Sequence, residues 1–314
     1  MHIKNRGKNI LTPSFIKKLV IAVIIVGVSI PILSVRPEVA NEPPIAIFPD
    51  DFKNIKLSAK AAYVLDVNQN KTLFSLNEDA QLPLASLTKI MTAVTALSLI
   101  PDYTSVTIVR DFLSPEGDSE LLVDEKWKLK DLVNLTLVNS SNDGARAIAS
   151  AAGAFKKNLN DYNMGRREFI YEMNKKTKEL RLSQTYFLNE TGLDESAAIS
   201  GGYGSAKDMT MLMKYALQNF PSVFEGTRKE NLIINSLNEI KHDLQNTNKE
   251  VNNIPLLLGS KTGYTDLAGG NLVIGFDAGF NRPIIITVLG STEEGRFEDV
   301  EALVWASLEH IKRQ

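Results

Sequence analysis

The sequence predicts an α+β fold, in which an antiparallel sheet built from the N- and C-terminal segments is covered by helices and lies beside a mainly helical lobe. Two observations lead to this class. Strand-like runs lie near both ends of the folded region, and helix-like runs fill the interval between them. No internal repeat or low-complexity tract interrupts this order. Strands at both ends of the chain therefore indicate a single sheet assembled from the two ends.

The folded region is expected to span residues 58–314 and to open with a hairpin. Residues 61–67 and 72–76 are strand-like runs on either side of the turn Asn68-Gln69-Asn70-Lys71. A helix follows, because apolar residues recur at helical spacing over 90–97.

The middle of the chain is predicted to be mainly helical. Its elements, in order, are a strand over 105–109, helices over 130–138 and from 143 or 144 to 152, an amphipathic helix with Phe169, Met173, Thr177 and Leu180 on one face, a loop over 189–194, a helix over 206–217 and an edge strand over 232–234. The polar cluster over 139–143 is a tight break between two buried helices.

The final third is rich in strands. Residues 256–260 lead into Lys261-Thr262-Gly263, and further strands are predicted over 272–276 and 282–289. A helix over 297–311 closes the chain.

Composition excludes several functional classes. Of the 314 residues, 44% are hydrophobic and 23% are charged, and the net charge is -2, so no nucleic-acid partner is expected. Cysteine is absent and the only histidines are His2, His242 and His310. This excludes disulfides and thiol catalysis and leaves little for a zinc site, so neither a metal nor a cofactor is expected.

The N-terminal segment predicts a location. Residues 1–18 are a basic tail, 19–35 are free of charge and 36–57 are a proline-rich linker. The apolar run covers about 26 Å at ~1.5 Å per residue, slightly less than a bilayer core of ~30 Å. It is either a cleaved signal peptide, which would give a secreted protein, or a retained membrane anchor. No small-residue cleavage site follows it, which favours an anchor with the folded domain on the extracytoplasmic side.

Ser86 and Lys89 are the first candidates for chemistry. Residues three apart on a helix share a face, so the Lys89 amine can reach the Ser86 hydroxyl and, if it is partly neutral, activate it. A serine at the start of a helix also lies beside unpaired backbone N–H groups that favour an oxyanion. Taken alone, the Ser-x-x-Lys spacing is weak evidence for a nucleophile, because it also arises by chance and such a lysine is usually a solvated surface group.

Two later motifs accompany it. Ser140-x-Asn142 follows a predicted helix, where its simplest interpretation is a helix cap. Lys261-Thr262-Gly263 lies in a predicted strand, where its simplest interpretation is an exposed lysine before a turn. The three motifs together are far less probable than any one of them.

With these motifs, the sequence resembles the penicillin-binding and serine β-lactamase superfamily, and most closely the low-molecular-weight D-alanyl-D-alanine carboxypeptidases. The resemblance extends over about residues 59–290 and includes the blocks 83–93 and 259–269 and the pair Gly192-Leu193. It implies a β-lactamase/transpeptidase-like fold and a serine D,D-peptidase domain over 58–314. Peptidoglycan stem peptides would be the substrates and β-lactam antibiotics covalent inhibitors.

The resemblance also implies a role for each matching residue. Ser86 would attack the carbonyl of the penultimate D-alanine while Lys89 takes its proton. Ser140 would relay a proton to the leaving amine, and Asn142 would hold Lys89 and the substrate amide. The implied substrate-binding residues are Lys261, Thr262, Gly263 and Tyr264. Of these, Lys261 and Thr262 would bind the terminal carboxylate, Lys261 would also depress the pKa of Lys89 by like-charge repulsion, and the Ser86 and Tyr264 N–H groups would form the oxyanion hole.

The sequence departs from the family at three places. Asp124-Glu125-Lys126-Trp127 stands where members usually have a glycine-containing turn, and Asn189-Glu190-Thr191 replaces a common Asn-Pro pair. The N-terminal segment is expected to take the place of the C-terminal anchor that many members carry. These departures affect loop shape and attachment rather than the chemical positions.

Three other functions remain open at this point. A D,D-endopeptidase would use the same residues. A class A β-lactamase needs a Glu-x-x-Leu-Asn loop, which is not found between Ser140 and Lys261, so slow deacylation of penicillin is expected. A catalytically silent scaffold is disfavoured, because every chemical position is filled.

Overall fold

The computed structural model describes residues 50–113 and 121–314. The predicted basic tail (1–18), apolar segment (19–35) and linker up to residue 49 lie outside these ranges. Within the part that is described, no helix combines the length and the hydropathy needed to cross a bilayer.

The secondary structure follows the predicted order. The helices are α1 (Thr88–Leu99), α2 (Leu129–Val138), α3 (Asn142–Lys157), α4 (Tyr162–Glu179), α5 (Ala206–Asn219) and α6 (Gly295–Lys312). The strands are β1 (Ala61–Asp66), β2 (Lys71–Leu76), β3 (Leu82–Pro83), β4 (Ser105–Thr107), β5 (Lys126–Lys128), β6 (Tyr186–Phe187), β7 (Gly202–Gly204), β8 (Asn231–Asn235), β9 (Lys241–Gln245), β10 (Leu257–Thr265), β11 (Gly269–Asp277) and β12 (Pro283–Ser291).

The main sheet has five antiparallel strands in the order β10-β11-β12-β1-β2. β1 lies between β12 and β2, so Ala62 is opposite Val288 on one side and Leu76 on the other. The prediction of one sheet assembled from both ends of the chain is thus confirmed. β10 is an edge strand, and within residues 50–113 and 121–314 no other strand pairs with its outer row of backbone groups.

The core divides into two hydrophobic clusters, one on each face of this sheet. Along β1, Tyr63 and Leu65 belong to the larger cluster with the central helices, whereas Ala62 and Val64 belong to the smaller cluster with α6. Successive side chains of a strand point to opposite faces, so residues 61–65 of β1 are apolar because both faces of the strand are covered.

Two features of the smaller sheets differ from expectation. The strand predicted over 232–234 is part of β8, and it pairs with β9 in a separate hairpin. β9 has the sequence Lys-His-Asp-Leu-Gln and buries only His242 and Leu244. A strand with so few apolar residues is hard to recognise from hydrophobicity alone.

The segment Asp124-Glu125-Lys126-Trp127, which departs from the family pattern, makes a sharp turn without glycine. Asp124 has a φ of 68°, a region that aspartate tolerates better than most residues. Glu125, which is 1% exposed, then lies 2.6 Å from His242 Nε2, and the Trp127 ring contacts the same imidazole with centroids 5.0 Å apart. These contacts join the turn to the β8–β9 hairpin.

Candidate active site

Ser86 lies in a 3-10 turn over Ala85–Leu87, which leads directly into α1. Lys89, in the first turn of α1, is completely buried, and its Nζ lies 2.9 Å from Ser86 Oγ. As the spacing of three residues predicts, the Ser86 hydroxyl and the Lys89 amine are within hydrogen-bond distance. The expectation of a solvated lysine does not apply here.

Two further oxygen atoms hold the Lys89 amine. Nζ lies 2.8 Å from Asn142 Oδ1 and 2.9 Å from the backbone O of Thr191. With Ser86 Oγ, these contacts bring together three segments that are far apart in the chain. Their positions fix the direction of the amine relative to the serine.

The break between α2 and α3 directs Ser140 and Asn142 into the site. The helix cap of α3 is Ser141, whose Oγ accepts a bond of 2.9 Å from the Gly144 N–H. Ser140 has a φ of 65°, so the chain reverses sharply there. The capping interpretation of Ser140 and Asn142 is therefore wrong, since the residue between them forms the cap.

Lys261 is a second buried amine. It is 1% exposed, and its Nζ donates to Ser140 Oγ at 2.9 Å and to the Thr262 carbonyl at 2.8 Å. Each buried lysine therefore contacts one of the two serines, Lys89 with Ser86 and Lys261 with Ser140.

Gly263 allows β10 to approach the serine closely. A Cβ on this residue would lie 2.9 Å from the Leu84 carbonyl and 3.1 Å from the Ser86 nitrogen. Such distances would force the edge strand and the 3-10 turn apart. The absence of a side chain thus brings the strand that carries Tyr264 against the backbone of Ser86.

Thr262 of the Lys261-Thr262-Gly263 motif has a hydrogen-bond partner that the sequence does not indicate. Thr262 Oγ1 donates to Thr247 Oγ1 at 2.6 Å, and Thr247 follows β9. The Thr247 N–H donates to the Val138 carbonyl at 3.1 Å. The β8–β9 hairpin therefore reaches the active-site strand, and no local pattern in the sequence indicates this.

The loop after β6 places the Thr191 carbonyl on Lys89. Asn189 Oδ1 accepts bonds from the N–H groups of Thr191 at 3.1 Å and Gly192 at 2.7 Å. Glu190, which is completely buried, accepts a hydrogen bond of 2.8 Å from Arg166 Nε. The sequence predicts only a loop for this segment; an asparagine that bonds its own backbone two residues on is the signal that could have identified its tight turn.

Electrostatically, the site combines the buried amines of Lys89 and Lys261 with the hydroxyl groups of Ser86 and Ser140. Removal from water and the presence of a second cation both favour the neutral form of an amine. Among the described residues, no group of three or more histidine, aspartate and glutamate side chains could hold a metal ion. The arrangement can remove a proton from a serine and bind an anion beside it.

Comparison with protein families gives a match over most of the chain. Residues 49–293 match the family described as D-alanyl-D-alanine carboxypeptidase. The D-alanyl-D-alanine carboxypeptidase DacF of Bacillus subtilis is 30% identical over 78% of this chain, which spans 61% of that protein. A D-alanyl-D-alanine endopeptidase of Escherichia coli is 29% identical over 74% of this chain and 72% of its own length.

Solved structures share the fold. The ampicillin-bound penicillin-binding protein D2 of Listeria monocytogenes is 29% identical, with a TM-score of 0.67 over 81% of this chain and 98% of its own. The DD-transpeptidase of Streptomyces K15, at 23% identity, has a TM-score of 0.71 over 81% of this chain and 98% of its own. The predicted α+β, β-lactamase/transpeptidase-like architecture is confirmed.

Proposed function

The chain belongs to the D-alanyl-D-alanine carboxypeptidase family, and on this premise we propose that it is a serine peptidase that removes the terminal D-alanine from peptidoglycan stem pentapeptides. The observation that carries the proposal is the 2.9 Å distance between Lys89 Nζ and Ser86 Oγ. It is a nucleophile beside a base that is shielded from water, which is the arrangement that acyl transfer needs.

In the proposed acylation step, neutral Lys89 accepts the Ser86 proton as Oγ forms a bond to the carbonyl carbon of the penultimate D-alanine. The carbonyl oxygen becomes an oxyanion, which the N–H groups of Ser86 and Tyr264 stabilise. The bond to the terminal D-alanine nitrogen then breaks. That nitrogen takes, by way of Ser140, the proton that Lys89 accepted, so Lys89 is neutral again and the acyl group stays on Ser86.

In deacylation, water attacks the same carbonyl carbon and the bond to Ser86 Oγ breaks. Lys89 takes a proton from the water and returns one to Oγ, which restores the enzyme. Asn142 holds Lys89 and the substrate amide during both steps. Its contact with Lys89 at 2.8 Å supports this role.

Recognition of the substrate is assigned to β10. Lys261 supplies a positive charge for the terminal carboxylate, and Thr262 would donate to it the hydrogen bond that Thr247 Oγ1 accepts here. Gly263 gives the substrate backbone access to Ser86. The edge position of β10 supports this assignment, because an extended peptide can add to a free strand edge.

The second candidate function is cleavage of peptidoglycan crosslinks, a D,D-endopeptidase activity. The similarity to an Escherichia coli D-alanyl-D-alanine endopeptidase favours it, since that protein is matched over 72% of its length. The same eight residues would serve both reactions, and only the shape of the groove beyond them would differ.

The proposed location is extracytoplasmic. Stem peptides of the cell wall lie outside the membrane, and residues 19–35 would anchor the domain there, with residues 36–57 as a spacer. If the apolar segment is cleaved, the protein would be secreted to the same compartment.

Fluorescent penicillin tests the assignment of the nucleophile. The wild-type protein should become covalently labelled, and Ser86→Ala should remove the label because no oxygen remains to form the acyl bond. Release of penicillin should be slow; rapid multiple turnover would indicate a β-lactamase. An unlabelled wild-type protein would favour a non-catalytic scaffold.

Mass spectrometry of products distinguishes the two peptidase activities. The protein is incubated with a muropeptide pentapeptide and, separately, with a crosslinked dimer. Loss of one D-alanine from the pentapeptide supports the carboxypeptidase, and conversion of the dimer to monomers supports the endopeptidase. Neither product from a protein that penicillin labels would contradict both.

A further inference from the structure

Arg296 is a buried cation that contacts β10, the strand that carries Lys261 and Tyr264. It lies in the first turn of α6 and is 6% exposed. Its Nη1 donates a hydrogen bond of 2.9 Å to the Gly263 carbonyl, and Cζ lies 4.7 Å from the centroid of the Phe297 ring. Within the described part of the chain its Nε has no hydrogen-bond partner.

Burial of this charge is unfavourable for stability by itself. Desolvation lowers the pKa of the Arg296 guanidinium, although Glu293 and Glu294 oppose this effect through space. Arginine nevertheless stays protonated at neutral pH. Among the described residues it forms no ion pair, and Glu294 pairs with Lys249 instead. A buried charge without an ion-pair partner destabilises a fold, so a structural role explains it poorly.

The peptide group that Arg296 contacts gives a different explanation. The Gly263 carbonyl and the Tyr264 N–H belong to one planar trans peptide group and point in opposite directions. Arg296 therefore binds the opposite end of the group whose N–H is proposed to stabilise the oxyanion. A charged donor forms the stronger kind of hydrogen bond, and successive hydrogen bonds polarise one another.

The neighbouring strand leaves space for this contact. Gly270 of β11 lies beside the Arg296 side chain, and a Cβ there would be 3.3 Å from Arg296 Cδ and 2.0 Å from the Thr292 carbonyl. The absence of a side chain at Gly270 lets α6 begin close enough to β11 for the guanidinium to reach β10.

We propose that Arg296 is a positioning residue for the oxyanion hole, which fixes the Gly263–Tyr264 peptide group and strengthens the Tyr264 N–H as a hydrogen-bond donor. This inference rests on the proposed function. It adds a residue that the three motifs do not contain, and it makes the start of α6 part of the catalytic apparatus.

The test measures binding of an N-acylated D-1-aminoethylboronic acid. Boron replaces the scissile carbonyl carbon, forms a tetrahedral adduct with Ser86 and places an oxygen in the oxyanion hole, while the inhibitor has no terminal carboxylate. Loss of a complete oxyanion donor typically costs 100-fold or more, so Arg296→Met, which only weakens one, should lose roughly 30-fold in affinity. The turnover number should fall by a similar factor, with KM for a D-Ala-D-Ala peptide nearly unchanged.

Arg282→Met is the matched control. Arg282 also forms a partly buried contact, an ion pair with Asp66 at 2.8 Å, but it lies at the other end of β11. Its loss should lower the melting temperature without changing boronate affinity. Arg296→Lys keeps the charge on a shorter side chain, so its boronate affinity should lie between those of the wild type and Arg296→Met. If Arg296→Met does not fold, Arg296→Lys is compared with the wild type instead.

Three results would overturn the inference. Unchanged boronate affinity in both Arg296 variants would mean that Arg296 has only a structural role. A rise in KM alone would mean that it binds the substrate carboxylate. Equal losses in Arg282→Met would point to general destabilisation. If the wild-type protein neither binds the boronate nor cleaves the peptide, the proposed function itself fails.

Discussion

At the scale of single residues, the site depends on a lysine that water does not reach. Lys89 is completely buried, and three oxygen atoms lie within 2.9 Å of its Nζ. A base of this kind works only when it is neutral, and burial favours that form. The proposed chemistry therefore depends as much on the packing around the amine as on its identity.

Lys89→Met should abolish acylation while the fold is retained. Methionine fills a similar volume and accepts no proton, so the rate of penicillin labelling should fall by about 1,000-fold or more, at the upper end of what acid–base groups contribute. Stopped-flow labelling measures the rate, and circular dichroism checks the fold. Lys207→Met, which removes a half-exposed lysine paired with Asp79, is the control and should label normally. Normal labelling of Lys89→Met would contradict the assignment of the base.

At the scale of elements, short connections direct several of the functional groups that the helices and strands do not. The break between α2 and α3 orients Ser140 and Asn142, and the loop after β6 supplies the Thr191 carbonyl to Lys89. The Arg166–Glu190 ion pair holds that loop against α4.

Glu190→Gln should therefore affect both stability and acylation. Glu190 is completely buried but the Arg166 side chain is 33% exposed, so the loss should be about 1–3 kcal/mol, less than for a fully buried ion pair. Displacement of the Thr191 carbonyl should also slow penicillin labelling. Urea unfolding and labelling rates measure the two effects in the same samples.

The matched control for this pair is Asp79→Asn. The Lys207–Asp79 pair is exposed, with side-chain accessibilities of 43% and 58%, so its loss should change stability by less than about 0.5 kcal/mol. If the two variants are equally stable, Glu190 does not hold the loop.

Some elements and contacts could be predicted from the sequence and others could not. The hairpin β1–β2 and the helices were predictable because their apolar periodicity reflects burial on one or both faces. The sequence spacing of Ser86 and Lys89 predicted their contact, since both lie in one turn. The contacts of Thr191, Thr247 and Arg296 were not predictable, because each joins segments far apart in the chain through a polar group that carries no periodic signal.

At the scale of the whole molecule, the sheet brings together segments from opposite ends of the chain. β1 pairs with β12 along its full length, and β10 lies at the edge where the substrate is proposed to bind. Closure of such a long loop costs entropy before any contact compensates it. The junction of the two ends should therefore contain interactions that stabilise the complete sheet.

Asp299 of α6 forms that junction. Its carboxylate accepts bonds from the N–H groups of Ser58 at 2.8 Å and Ala59 at 2.9 Å, and from Ser291 Oγ at 2.6 Å. It therefore joins the start of β1, the end of β12 and α6. Asp299 is 4% exposed, and its bonds with the Ala59 N–H and Ser291 Oγ are buried, so these two donors lose their partner if the carboxylate is removed.

Asp299→Ala should destabilise the whole domain without selective damage to catalysis. At about 1 kcal/mol or more for each of the two buried donors left unsatisfied, the loss should be at least ~2 kcal/mol in urea unfolding. Glu298→Ala removes an exposed carboxylate from the same turn and should leave stability nearly unchanged. Well below the melting temperature, Asp299→Ala should still be labelled by penicillin at close to the wild-type rate. Unchanged stability would mean that the two chain ends are held together by strand pairing and apolar burial alone.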